Sequence, residues 1–168
     1  MPLNNFDRTL SWSDFNQQLR QPGGVNEFAQ IHPDMAPSNF VLARVRNAII
    51  ITDVTIDLSL IADDCWVVTS RMTNDLLKHE QGHYDILAIS AREFFNALVG
   101  FSATTTDALQ RKVNQLQQRF AQQATQVDAR YDSENQTNHG INTSVQQSWD
   151  QKIAATKANP RGRLADLP

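Results

Sequence analysis

Near the middle of the chain lies Leu76-Leu77-Lys78-His79-Glu80-Gln81-Gly82-His83-Tyr84-Asp85-Ile86, a stretch that contains the pattern His-Glu-x-x-His. On a helix, residues four positions apart lie one turn above each other on the same face. His79 and His83 would therefore present two imidazole nitrogens to one zinc ion, which prefers nitrogen or sulfur ligands in a tetrahedral shell. Glu80 would lie beside the first ligand, where it can take a proton from a water molecule. The pattern predicts a helix, a zinc site and metal-assisted hydrolysis.

The residues around this pattern predict that its helix belongs to the core. The alternative is a solvent-exposed helix face that carries two histidines and a glutamate by chance. The apolar residues on both sides of the pattern disfavour this alternative. These residues are Leu76, Leu77, Ile86, Leu87 and Ile89. Ser70 or Thr73 can cap the helix, which we expect to run to Val99 and to end at Gly100. Gly82 lowers helix stability by about 1 kcal/mol relative to Ala, and we expect it to let another backbone or a substrate come close to the metal face.

Length and composition exclude several classes of protein. The 168 residues predict one domain, 1–168, that is long enough to bury a core. Fifteen basic and 18 acidic residues give a net charge of −3, which does not favour binding to nucleic acid or to an anionic membrane. The single cysteine, Cys65, cannot form an internal disulfide, and we expect it to be a small buried residue. No apolar run approaches the ~20 residues of a membrane span. The first residues lack the features of a signal peptide, which predicts an intracellular protein or a leader outside this sequence.

Strand patterns follow a first segment, 1–39, that we expect to be irregular. Residues 40–46 are rich in valine and phenylalanine, and residues 49–60 alternate between apolar and polar side chains. Asn47-Ala48 is short enough for a hairpin connection between them. A third apolar run covers residues 65–69. We therefore expect an α+β fold with a small antiparallel sheet of about three strands, one face of which is buried.

Two further helices are predicted after the central one. The second begins near Thr106-Asp107 and carries apolar residues in steps of three and four, as in a backing helix that lies along the first. This stripe consists of Leu109, Val113, Leu116, Phe120, Ala124, Val127 and Tyr131. A coiled-coil face is the alternative, but the glutamine-rich opposite side favours solvent. A last helix is expected over Ser144–Ala155, and residues 157–168 are expected to form a flexible tail.

A catalytic zinc ion needs a third protein ligand and an open position for water. We favour His139, because it follows the second helix and a ligand there can fold back onto the first. Asp132, near the end of that helix, is the main alternative, and Asp128 and Glu134 are weaker candidates. A loop histidine without a ligand role is the ordinary explanation of His139. Glu93 is disfavoured because it lies nearly three turns along the same helix from the His-Glu-x-x-His pattern.

Several motifs together resemble a known bacterial family. They are Leu10-x-Trp12-x-Asp14-Phe15, the stretch 79–86, Tyr131-Asp132, Thr137-x-His139-Gly140 and the segment from Gln146-Gln147 to Trp149. This set resembles the family described as predicted secreted zinc-dependent proteases, a family of unknown function (domain of unknown function 922). The resemblance covers nearly the whole chain. It implies a zincin-like fold, Zn²⁺ as the cofactor, protease activity, and a secreted or periplasmic location.

The expected mechanism is hydrolysis of a peptide or protein substrate with Glu80 as the general base. Tyr131 is either a hydrogen-bond donor to the oxyanion or a packing residue of the helices. An edge strand within residues 49–60 would hold an extended peptide by strand addition. Two alternatives stay open: a binding or scaffold domain with a structural or vestigial metal site, closed by Asp132 together with His139, and a zinc hydrolase of a non-peptide amide or ester. The sequence does not predict the oligomeric state.

Overall fold

The computed structural model of the protein describes residues 2–22 and 27–168, and in these ranges it has three α-helices and two small sheets. The elements are β1 (Leu3–Asn4), β2 (Asn16–Gln18), β3 (Ala29–Gln30), β4 (Pro33–Val45), β5 (Ala48–Leu60), β6 (Trp66–Val68), α1 (Asn74–Leu98), β7 (Ser102–Ala103), α2 (Thr106–Asp132) and α3 (Thr143–Ala158). The predicted α+β class is confirmed. Residues 23–26 of the N-terminal segment lie outside the described residues. None of the helices in the described ranges combines the length and the apolar character that a membrane crossing needs.

Helix α1 is the central element, because β5, α2 and α3 all contact it. Its N-terminus is capped by Thr73, whose side-chain oxygen accepts a hydrogen bond from the Leu76 N–H at 3.2 Å. Shortly after its last residue, Gly100 has a φ of +83°, a left-handed conformation that glycine adopts without strain. The predicted cap and end of this helix are therefore confirmed, and α2 and α3 begin within one residue of their predicted starts.

Strands β4 and β5 form a long antiparallel hairpin. The turn is Arg46-Asn47, one residue earlier than predicted, and Arg46 has a φ of +53°. Strand β4 begins at Pro33, seven residues before the expected start. Prolines are tolerated in β4 because it is an edge strand, where a missing N–H does not break a ladder. The predicted alternation within β5 is confirmed, since Val54, Ile56 and Leu58 are fully buried.

The expectation of one antiparallel sheet of three strands is wrong in its third strand. The second edge of β5 is occupied by β1, which is parallel, and by β7, which is antiparallel. The run 65–69 forms β6 in a separate sheet, between parallel β2 and antiparallel β3. The segment 1–39 is therefore not irregular as expected, because it contains β1, β2, β3 and the start of β4. These strands of two or three residues are too short to show an alternating pattern.

The N-terminal segment is fixed to α1 by two side chains of the 76–86 stretch. Gln81 Oε1 accepts a hydrogen bond from the Leu10 N–H at 2.8 Å, and Gln81 Nε2 donates to the Arg8 carbonyl at 3.1 Å. The Tyr84 hydroxyl donates to the Asn5 carbonyl at 2.8 Å. These contacts occupy the side of α1 that faces the N-terminal segment. The side chains of His79 and His83 therefore lie on a different side of the helix.

The C-terminal residues 157–168 are packed against the protein and do not form the expected flexible tail. Leu164 and Leu167 are buried in the cluster that contains Trp149. The buried Arg92 guanidinium donates 2.8 Å hydrogen bonds to the carbonyl oxygens of Thr156, Lys157 and Gly162. Arg92 lies on α1, so this docking was not visible in the local sequence of the tail.

Candidate metal centre

The side chains of His79, Glu80 and His83 project from α1 into a cavity of about 140 Å³. Helix α2 ends at this cavity with Asp132, and the loop that follows places His139 at its wall. The segment 27–31, which contains β3, closes the opposite side. The cavity therefore lies where α1, the end of α2 and the second sheet meet.

Three potential ligand atoms converge in this cavity. The Nε2 atoms of His79 and His83 lie 3.1 Å apart. Asp132 Oδ1 lies 3.1 Å from His79 Nε2 and 3.2 Å from His83 Nε2. Zinc bonds of about 2.0–2.2 Å in a tetrahedron correspond to ligand separations of about 3.3–3.6 Å. The three atoms form a nearly equilateral triangle only slightly smaller than one face of that tetrahedron, so they fit a zinc ion.

Asp132 supplies a second sign of a cation site. Its Oδ1 atom is buried and, among the described residues, makes no well-formed hydrogen bond, although the Nε2 atoms of His79 and His83 lie 3.1 and 3.2 Å from it. Burial acts to raise the pKa of Asp132, but the imidazoles of His79 and His83 outweigh this effect and hold the pKa well below its usual range. A buried anionic oxygen without a hydrogen bond is costly. A cation bound at this position would remove that cost.

A chain of hydrogen bonds determines which nitrogen of His79 faces the cavity. Gln146 Nε2 donates to the Asp150 carboxylate at 2.7 Å and to the Tyr131 hydroxyl at 2.6 Å. Because a carboxylate can only accept, the Gln146 amide nitrogen must face Asp150 and its Oε1 must face His79. His79 Nδ1, 3.0 Å from that Oε1, is therefore the protonated nitrogen of the neutral ring. Nε2 keeps its lone pair, as a metal ligand requires.

His83 is oriented by Asp128 in the same way. Its Nδ1 donates to Asp128 Oδ1 at 2.7 Å, so in the neutral ring Nε2 carries the lone pair. Burial lowers the pKa of His83, but Asp128 and Asp132 together raise it well above 6.5. Without a metal, a proton on His83 provides the positive charge that the two carboxylates attract. Metal binding would release this proton.

Glu80 is buried and lines the same cavity. Burial raises its pKa from 4.5 to about 7, while the nearby His83 acts in the opposite direction. A carboxyl group with a pKa close to neutral is suited to accept and return a proton. Glu80 thus shares a cavity with the three converging atoms, and its role as general base stays a prediction.

Tyr131 lies behind His79 and does not line the cavity. Its ring stacks on the His79 ring at 4.8 Å, and its hydroxyl donates to the His79 carbonyl at 3.2 Å. Burial raises the pKa of Tyr131, so the phenol stays neutral. Gly82 makes this packing possible, because a Cβ atom there would lie 2.2 Å from Tyr131 Oη. The packing role accounts for all of these contacts. The group that lies close to Gly82 is the Tyr131 side chain and not the backbone or substrate expected from the sequence.

His139, the third ligand favoured on the sequence, lies outside the converging group. Among the described residues, the potential ligand atoms within 4.8 Å of one another belong to His79, His83 and Asp132. His139 Nδ1 lies 3.8 Å from Asp132 Oδ1 and also 3.8 Å from Glu27 Oε1, on the outer side of Asp132. The structure thus brings the alternative, Asp132, to the two histidines. The remaining candidates are elsewhere: Asp128 binds His83, Glu134 is exposed, and Glu93 accepts a hydrogen bond from Leu164.

The loop between α2 and α3 explains the motif Thr137-x-His139-Gly140. Asn138, His139 and Gly140 all have left-handed φ values, of 49°, 51° and 80°. A Cβ atom on Gly140 would lie 3.1 Å from His79 Cβ, so the loop backbone packs directly on the first histidine. The sequence analysis named Gln146 only as part of the family resemblance and gave it no role, and it missed Asp150, four positions later on α3, and the segment 27–31.

Comparison with known proteins gives one match. Residues 44–140, which include all of α1 and α2, match the family described as "Bacterial protein of unknown function (DUF922)". No curated protein and no solved structure matches the chain.

Proposed function

Because the chain belongs to the DUF922 family of bacterial proteins of unknown function, its activity must be inferred from its own site, and we propose that it is a zinc-dependent metallopeptidase. The observation that carries the proposal is the set of three ligand atoms 3.1–3.2 Å apart beside a buried glutamate. We assign His79, His83 and Asp132 as the zinc ligands. Two imidazoles and one carboxylate are a ligand set of catalytic zinc, which leaves a fourth position for water or substrate.

The chemistry follows from the surroundings of Glu80. A bound zinc ion would polarise the scissile carbonyl and lower the pKa of water towards neutrality. The Glu80 carboxylate accepts the proton of the attacking water and then passes it to the leaving amine. Asp128 and Gln146 hold the two imidazoles in the orientation that this reaction needs. His139 lies outside the ligand group, which favours a site with an open position over the closed shell of a structural site.

The peptide-binding strand expected within residues 49–60 is not supported by the structure. Strand β5 has β4 on one side and β1 and β7 on the other. Among the described residues, those of β5 line neither the metal cavity nor a second cavity that lies beside it. Strand β3 is the edge of the second sheet and borders the metal cavity. We therefore place an extended substrate along the segment 27–31, where pairing of main-chain groups requires no particular side chains.

The experiment compares zinc-loaded wild-type protein with Glu80→Gln in the digestion of a peptide library. Removal of the general base should reduce hydrolysis by about 10²–10⁴-fold while the protein keeps one zinc ion. Glu134→Gln makes the same chemical change at an exposed position and should leave hydrolysis unchanged. The proposal is wrong if zinc-loaded wild-type protein cleaves no peptide, or if Glu80→Gln cleaves at the wild-type rate. Cleavage of esters or non-peptide amides alone would favour the other hydrolase class.

A further inference from the structure

A second cavity of about 390 Å³ lies directly beside the metal centre. The two cavities share Gln30, Ile31, His83 and Asp128 as lining residues. The metal cavity, at about 140 Å³, is too small for a ligand of the size that typical binding sites of about 300–1,000 Å³ accept. A substrate whose reacting bond lies at the metal must therefore extend beyond this cavity, and the second cavity adjoins it along the four shared residues.

We propose that this second cavity, the side pocket, selects peptides with a large apolar side chain on a residue next to the scissile bond. The apolar part of the side pocket's lining comes from three parts of the fold: Ile31, Met35, Ile86, Leu87, Ala121 and Ala124. Its polar part consists of Gln30, His32, Asp34, His83, Gln117, Thr125 and Asp128. This inference rests on the proposed peptidase function. It adds the chemical class of the side chain that the site prefers.

The size of the side pocket follows from the sequence of α2. Ala121 and Ala124 are three positions apart and face Ile86 and Leu87 of α1 across the space. Small residues there leave room that larger ones would fill. Gln117 closes the wall, because its Nε2 atom donates to the Met35 carbonyl at 2.9 Å and ties α2 to β4.

The charges around the site decide between classes of side chain. Within the described ranges, no lysine or arginine lines either cavity, whereas Glu27, Glu80, Asp128 and Asp132 line the first, and Asp34 and the His83-bound Asp128 line the second. Acidic side chains are therefore disfavoured. A basic side chain would gain at most about fivefold from an exposed carboxylate such as Asp34. Burial of a leucine or phenylalanine side chain favours binding by roughly 10- to 150-fold, so the apolar class is preferred.

Binding to the side pocket can be measured without hydrolysis. Met35 lines it, and Met72 does not, so methyl-labelled methionine provides a probe and an internal control for NMR. Zinc-loaded protein would be titrated with N-acetyl-phenylalanine amide and N-acetyl-glutamate amide. We expect a saturable shift of the Met35 methyl signal with the first compound, at least tenfold weaker binding of the second, and no shift of Met72. Equal responses to both compounds, or none at Met35, would overturn the proposal.

Substitution of Ala121 tests the same point during catalysis. Ala121→Leu adds three carbon atoms at the wall and should lower kcat/KM at least tenfold for peptides with phenylalanine or leucine next to the cleaved bond, but not for those with alanine. Ala129→Leu, at an exposed position of the same helix, should change neither. Hydrolysis of peptides without any such preference would overturn the side-pocket proposal and leave the peptidase function standing. A saturable Met35 shift without hydrolysis of any peptide would support the pocket and contradict the peptidase function.

Discussion

Substitution of Gly82 by alanine tests the packing that holds His79 in place. A Cβ atom at residue 82 would lie 2.2 Å from Oη and 2.7 Å from Cζ of Tyr131, so the Tyr131 ring must move by about 1 Å to reach ordinary contact. Overpacking of this kind costs about 1–3 kcal/mol. The movement also weakens the hydrogen bonds of the Tyr131 hydroxyl to His79 and Gln146, each of which contributes about 1 kcal/mol.

Helix propensity acts in the opposite direction, because alanine is favoured over glycine by about 1 kcal/mol inside a helix. We therefore expect Gly82→Ala to lower the free energy of unfolding by about 2 kcal/mol. The assay is urea denaturation of the metal-free protein. Ala129→Gly on the exposed face of α2 measures the propensity difference in this protein. Zinc affinity should also fall, because the Tyr131 ring that must move stacks on the His79 imidazole.

A double-mutant cycle separates steric overlap from other effects. Tyr131→Phe removes the atom nearest to the new Cβ, so the double variant with Gly82→Ala should be more stable, by about 1 kcal/mol, than the sum of the single changes implies. Gly82→Ala as stable as the wild type or more stable would refute the reasoning, since helix propensity alone predicts that result. Strictly additive single changes would also refute it.

Three other changes give distinct expected results. The pKa of Glu80 is about 7 in the folded protein and ordinarily 4.5. Metal-free wild-type protein should therefore lose up to about 3 kcal/mol of stability relative to Glu80→Gln as the pH rises from 4.5 through 7. Urea unfolding of both proteins at several pH values measures this difference. Asp128→Asn keeps an acceptor for His83 but removes the charge, and it should weaken zinc binding about 10–100-fold in a calorimetric titration. Arg92→Met leaves three carbonyl groups, two buried and one partly buried, without their donor, and it should cost roughly 3 kcal/mol and expose residues 157–168 to proteolysis.

The sequence predicted those parts of the fold that depend on local periodicity. The three helices, the Thr73 cap and the alternation of β5 were all readable, because each one extends over many residues. The second sheet was not readable, because β2 and β3 have three and two residues and pair with a strand more than 30 positions away. The docked C-terminus depends on Arg92, a residue more than 60 positions earlier, and no local pattern shows such a contact.

The candidate site likewise contains residues that local spacing predicts and residues that only the tertiary structure brings together. His79, Glu80 and His83 are related by the helical repeat, so their spacing alone placed them together. The choice between Asp132 and His139 depends on where α2 ends relative to α1 and on the left-handed turn at residues 138–140. Those are tertiary features. The Gln146 contact to His79 spans 67 positions of the chain, which is beyond any argument from spacing.

The central claim is that His79, His83 and Asp132 hold one zinc ion, and calorimetric titration of metal-free protein with zinc tests it most directly. The account predicts one zinc ion per chain, uptake that is lost in His79→Ala and Asp132→Asn, and uptake that is retained in His139→Ala. Folded wild-type protein that takes up no zinc would contradict the account. So would uptake that depends on His139 and not on Asp132.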